Sequence, residues 1–167
     1  FLGGWVAGSM VLTGYLQQLC DAEKVPVASG VLPLVVRAGG GSVRDSLSVL
    51  EPLLAGSDAA GVTYDRAMSL LGFTDATLLD DTIDAIAAAD GASLFMVVGR
   101  VIETGHEPRR FVEDLVERLR DLLVLAAAGD AGLRALGELP ADQAERMKDQ
   151  ARRLGLARAS RAADLVN

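Results

Sequence analysis

The 167-residue sequence has the size of one domain or two small ones, on a scale of roughly 150 residues per domain. Half of it is apolar and 23% is charged, which excludes a disordered or low-complexity chain. Aromatics make up only 4%, and with Ala and Leu abundant the composition points to an all-α protein rather than a sandwich or barrel. A formal charge of -7, from 16 Lys+Arg against 23 Asp+Glu, argues against a free-standing nucleic-acid binder, which must neutralise many phosphates.

The acidity is concentrated in the middle: residues 58–137 hold 7 basic and 14 acidic groups, whereas residues 1–57 hold 3 and 4, and residues 138–167 hold 6 and 5. One cysteine, Cys20, cannot form an internal disulfide, and one histidine, His106, leaves no Cys/His set with zinc spacing. A reducing cytoplasm is the expected compartment, and no metal site is expected. No apolar run approaches the ~18 residues a bilayer requires, so no membrane partner is expected.

Residues 1–9, Phe1 to Ser9, show no helical period and end in Gly8-Ser9; they are read as an expression tag or cloning scar and kept out of the functional reading. From Met10, Leu12, Tyr15, Leu16, Leu19 and Cys20 form an amphipathic stripe that should end near Lys24. A short run from Val31 to Arg37 is apolar almost all round, as in a buried helix, and stops in Gly39-Gly40-Gly41. Ser42-Val43-Arg44-Asp45 then has the form of a capping box, with Ser42 accepting from a first-turn amide and Asp45 reaching back to the Ser42 amide. Val43, Leu47, Leu50 and Leu54 give the following helix a core face, and Pro52 should kink it or end it early.

Gly56 to Gly61 has turn composition and marks a domain boundary. Thr63 can cap a helix with Ala67, Leu70 and Leu71 inward and Gly72 as its stop. Thr74 or Asp75 starts another, with Leu79, Ile83 and Ile86 inward and Asp80, Asp81 and Asp84 outward. Leu94, Val97, Val98, Val101 and Ile102 mark the next helix. The longest opens at Glu107-Pro108, with Phe111, Leu115, Leu119, Leu122 and Ala126 as its seam and i, i+4 pairs Arg110–Asp114 and Asp114–Arg118 beside it. Beyond Gly129, a polar Ala-rich helix from Pro140 and a last run from Leu156 carry only thin apolar stripes.

Little of this carries chemistry. The two lysines, Lys24 and Lys148, lack the glycines of a phosphate loop, and Arg44 stands where a dinucleotide fingerprint needs its third glycine. Leu78-Leu79-Asp80-Asp81 faintly resembles a magnesium-holding strand end but lies in a helical pattern, so a solvated acidic face is expected there and at Asp75 and Asp84. His106 has no nearby nucleophile to activate, and Cys20 is expected to be an inert core filler. Arg44 stands out, because a guanidinium in the first turn of a capped helix adds a planar fork to free amides and the positive dipole end, a combination suited to phosphate oxygens. On the residues alone, an ordinary exposed arginine beside a normal cap is the favoured reading, since bare cap motifs are common. A metal-free hydrolase has the least support, since no nucleophile–base pair stands at a recognisable spacing.

The run Gly39-Gly40-Gly41-Ser42-Val43-Arg44-Asp45-Ser46-Leu47-Ser48 resembles the Gly-Ser-x-Arg-Asp-x-Leu-Ser motif of the gamma/tau subunit family of bacterial DNA polymerase III, the AAA+ motor of the sliding-clamp loader. Val62-Thr63-Tyr64 through Gly72, and His106-Glu107-Pro108 through Leu123, resemble the opening and the long central helix of that family's third domain. Glu51-Pro52 departs from the family, which has an acidic residue followed by Gln. The resemblance implies a small helical AAA+ lid at residues 10–57 and a helical-bundle collar domain at 62–167. The nucleotide-binding domain would lie before Met10. It further implies that Arg44, supported by Ser42 and Asp45, is the sensor 2 residue that touches nucleotide phosphates. ATP and Mg would then be bound only in the full-length parent, an ATPase within a DNA-directed DNA polymerase (nucleotidyltransferase) holoenzyme. This stretch itself would hold no catalytic residue. The implied partners are other clamp-loader subunits, namely gamma/tau copies, delta and delta prime, through the collar, with DNA and the sliding clamp met only indirectly. A helical protein–protein adaptor unrelated to replication is the competing expectation.

Overall fold

The computed structural model describes the backbone of residues 2–166 and the side chains of residues 8–155. Among the described residues the secondary structure is helical, in eight helices joined by short turns. It includes two isolated bridges, one of which pairs Val27 with Val62. The chain divides into two compact units, one running to Gly72 and including Ala135–Pro140, the other formed by Phe73–Arg134 and the residues from Ala141 on.

In the first unit, α1 (Leu2–Ala22) buries Leu12, Leu16 and Cys20, every fourth residue and therefore one helix face. It begins at Leu2, so the stretch read as aperiodic continues the helix instead of standing apart from it. α2 (Val31–Ala38) buries Val31, Leu32, Leu34, Val35 and Val36, the nearly all-round burial its composition predicts. Its N-cap is Gly30 at φ 86°, where a β-carbon would also lie 2.8 Å from Pro140; backbone conformation and packing both require glycine there.

α3 (Val43–Ala55) runs three residues past Pro52, so the proline does not end it early. Its buried face is Ser46, Leu50 and Leu53, rotated from the Val43–Leu47–Leu50–Leu54 face that the spacing suggests, and Val43 is half exposed. The rotation follows from Gly39: a β-carbon there would lie 2.6 Å from the Ser46 amide nitrogen, so the small pair Gly39 and Ser46 brings α3 against the end of α2. α4 (Tyr64–Leu70) is capped by Thr63, whose hydroxyl accepts from the Arg66 amide. Ala67 is buried while Leu70 is exposed.

The second unit consists of α5 (Ala76–Ala87), α6 (Gly91–Glu103), most of α7 (Pro108–Leu136) and α8 (Ala141–Val166). α5 is capped by Asp75, which accepts from the Thr77 amide, and it packs on α6 and α8. α7 is broken at Gly129 (φ 54°) and α8 at Gly155 (φ 66°). Leu79, Ile83, Val97, Val101, Leu115, Leu119, Leu122 and Leu154 fill the interior, each burial contributing about 1.5–3 kcal/mol of transfer free energy. On α6, Val98 and Ile102 are exposed, and of the expected stripe Val97 and Val101 are buried with Leu94 partly so.

Candidate functional site

At the start of α3 the chain turns through Gly40 (φ 61°) and Gly41 (φ 78°), left-handed positions that a side chain would strain. Ser42 is extended, and its hydroxyl accepts from the Asp45 amide at 3.4 Å. The Ser42 amide donates to the Gly39 carbonyl at 3.0 Å, closing the glycine turn, so the reciprocal half expected of Asp45 is taken by backbone. Arg44 and Asp45 are exposed in this first turn, while the Ser48 hydroxyl donates to the Arg44 carbonyl at 3.1 Å. Arg44 thus projects from a capped helix start whose remaining amides and dipole suit an anionic oxygen.

The second unit holds a polar centre that the sequence pattern did not reveal. Asp80, expected outward, is 6% exposed. Its Oδ1 accepts from Arg118 Nη1 at 2.6 Å and Gln150 Nε2 at 2.9 Å, and its Oδ2 accepts from Arg146 Nη1 at 2.6 Å. Arg118, 8% exposed, also donates to Gln150 Oε1 at 3.2 Å. Burial pushes the Asp80 carboxyl up. The hydrogen bond and charge of these arginines, with the Gln150 amide, outweigh that and hold it below its ordinary value. Asp80, Arg118 and Gln150, from α5, α7 and α8, therefore satisfy one another in the interior, while Arg146, 44% exposed, reaches the carboxylate from the surface; this pairing is the condition under which a buried charge is tolerated.

Arg118 is consequently not the partner of Asp114. That carboxylate accepts from the Thr74 amide at 2.7 Å and pairs with Arg110 at 3.2 Å, and Arg110 lies 4.4 Å from the centre of the Phe73 ring. Asp81 and Asp84 are partly exposed and pair with Arg100 and Arg153, each at 2.5 Å. Cys20 is buried, and burial, followed by the Asp21 charge, raises its thiol pKa, which fits an inert filler. His106 is half-buried. Among the described residues no cluster of His, Cys, Asp and Glu could hold a metal ion, and no helix is long and apolar enough to cross a membrane.

These features define an all-α protein whose polar groups serve two devices, a capped and outward-facing helix start and a buried ionic centre. Residues 62–166 match the family described as DNA polymerase III subunits gamma and tau domain III, and the chain belongs to that family. It is 52% identical over 151 residues to the DNA polymerase III subunit gamma/tau of Mycobacterium tuberculosis, covering 90% of this chain and 26% of that protein. It is 22% identical over 120 residues to DNA polymerase III subunit tau of Bacillus subtilis, covering 72% and 21%. With DNA polymerase III subunit tau/gamma of Haemophilus influenzae it shares 24% over 114 residues, covering 68% and 16%. The chain spans about a quarter of the length of the mycobacterial relative. Family membership does not favour an adaptor unrelated to replication.

Proposed function

We propose that this chain is the lid-and-collar portion of a DNA polymerase III gamma/tau subunit that helps load the sliding clamp during chromosome replication. The observation that carries the reading is the family match over residues 62–166, which opens beside the turn at Gly61. Residues 62–167 are then the collar, joining gamma/tau copies, delta and delta prime, and residues 10–57 are the AAA+ lid. DNA and the clamp are met through the assembly, in the cytoplasm. ATP binding, ATPase activity and the transferase chemistry of the holoenzyme belong to the parent.

Arg44 is the sensor 2 residue in this reading, supported by Ser42 and Asp45. ATP with Mg, bound by the parent's nucleotide domain, would present a γ-phosphate that is there before hydrolysis and gone after its release. The exposed guanidinium and the amides at the start of α3 fit a phosphate oxygen. A charge-assisted contact made in one nucleotide state stabilises one lid orientation over the other, which makes it a switch.

The test is Arg44→Ala in the full-length subunit, read by ATP-driven clamp loading. Loss of loading with unchanged circular dichroism and subunit assembly is the expected result. Loading at the unsubstituted rate overturns the sensing role. The chain by itself should turn over no ATP above a matched blank.

A further inference from the structure

The chain passes between its two units after Gly72, after Arg134 and after Pro140. The last two crossings bound residues 135–140, the end of α7 and the loop into α8, which belong to the first unit although the helices they join lie mostly in the second. This segment is fastened along the start of α2. The Ser29 hydroxyl donates to Glu138 Oε1 at 2.8 Å. Pro140 sits so close to Gly30 that a β-carbon there would lie 2.8 Å from its Cδ, and a β-carbon on Gly137 would meet Pro33 Cγ at 3.9 Å. α2 has use for such a cover, because its N-cap is a glycine with no side chain to accept from the first-turn amides and its first turn holds no acidic residue. Glu138 brings a carboxylate to that end, where the helix dipole favours one.

At its other end the segment runs directly into α8. Pro140 is followed at once by Ala141, the first residue of that helix. Arg146 and Gln150, which hold Asp80, stand in its second and third turns, about 9 and 15 Å from Pro140 along the axis at the usual rise per residue. Helix ends fray unless they are tied, and α8 buries only Ala144, Met147, Ala151 and Leu154 as its apolar stripe, so a tether at its start counts for more than it would on a helix with a broad apolar face. We propose that residues 135–140 are a strap through which the first unit holds the start of α8, so that the grip at Ser29 and Gly30 governs how firmly Arg146 and Gln150 are kept on the Asp80 carboxylate. The coupling travels through the covalent chain, from the N-terminal end of α2 to Pro140 and then along α8. It is independent of the clamp-loading role and gives Gly30 two duties, starting α2 and seating the strap.

The test is amide hydrogen exchange read by mass spectrometry on the 167-residue chain, comparing Gly30→Ala with Gly39→Ala. Both crowd the first unit, at opposite ends of α2. The β-carbon at position 30 meets Pro140 and, at 3.1 Å, the Tyr64 ring, on a backbone already at φ 86°, whereas the one at position 39 meets the backbone of Ser46. Gly30→Ala should accelerate exchange across residues 141–150 about tenfold or more, through the left-handed strain and the displaced proline, and leave α6 unchanged. Gly39→Ala should leave 141–150 at the unsubstituted rate. Ser29→Ala, which removes one exposed hydrogen bond and touches nothing in α8, should accelerate the same stretch about twofold. Equal acceleration of 141–150 by Gly30→Ala and Gly39→Ala would overturn the proposal, since loss of first-unit stability would then explain both. So would Gly30→Ala that speeds exchange in α2 and leaves 141–150 untouched. Should Gly30→Ala fail to fold, Ser29→Ala decides alone, and exchange in 141–150 identical to that of the unsubstituted chain overturns the strap.

Discussion

The first unit closes over aliphatic side chains, with Leu16, Val31, Val35 and Leu53 at most 2% exposed and Ser46 as a small buried polar group. The interior of the second contains Asp80, Asp114, Arg118, Gln143 and Gln150 as well as its leucines. The difference tracks the width of the apolar stripes. α2 is apolar nearly all round and needs no polar key, whereas α8 presents Ala144, Met147, Ala151 and Leu154, too little apolar area to fix its register on dispersion and transfer free energy alone. The Asp80 centre supplies direction where the apolar stripe is thin: Arg146 and Gln150 reach the carboxylate only when α8 is in one register on α5.

The largest way to break this contrast is Asp80→Ala. It leaves Arg118 buried without its counter-charge, a loss of about 3–5 kcal/mol, and it should lower the urea midpoint of the second unit, with hydrogen exchange in α8 accelerated more than in α2. Equal acceleration in both would mean that the centre does not act locally. Acid sharpens the same contrast with a smaller effect. The Asp80 carboxyl is held below its ordinary value in the folded chain. Its contribution is therefore complete above the unfolded pKa, near 3.9, and is lost as pH falls through the folded value. Unfolding followed from pH 7 downward should show a decline in this acid range that Asp80→Asn diminishes; an identical pH profile for the two proteins would rule the linkage out.

How much of this was legible follows the same division. The order of helices, the caps at Ser42, Thr63 and Asp75 and the outward Arg44 were readable, because local spacing and cap chemistry determine them. Asp80 departs from the outward placement that its helical pattern suggests: it lies three residues before Ile83 and shares its buried face. Arg118 lies three after Leu115, and Gln150 three after Met147, each on an apolar stripe. Three polar residues of complementary chemistry on three such stripes were the available signal. Their union in one centre depends on tertiary packing that no single helix encodes. Val98 and Ile102 had the opposite fate. Their apolar character suggested core, yet a helix apolar on two sides can bury only one of them within its own unit.

The smallest of these effects tests the aliphatic unit where α2 meets α3. Gly39 has an ordinary negative φ of -82°, so alanine carries no left-handed backbone penalty there. The objection is packing alone. An added β-carbon would lie 2.6 Å from the Ser46 nitrogen and 2.8 Å from its α-carbon, and because these are backbone atoms α3 itself must move. Overpacking of this kind costs roughly 1–3 kcal/mol, and it should appear as a lower urea midpoint for Gly39→Ala with unchanged exchange in α8. Combining it with Ser46→Gly, which removes a buried hydroxyl lacking a hydrogen-bond partner among the described residues, leaves the backbone clash in place. The double substitution should therefore recover little. Full recovery would mean that the side chain, not the helix backbone, sets the approach of α3 to α2, and the rotated face of α3 would then need another cause.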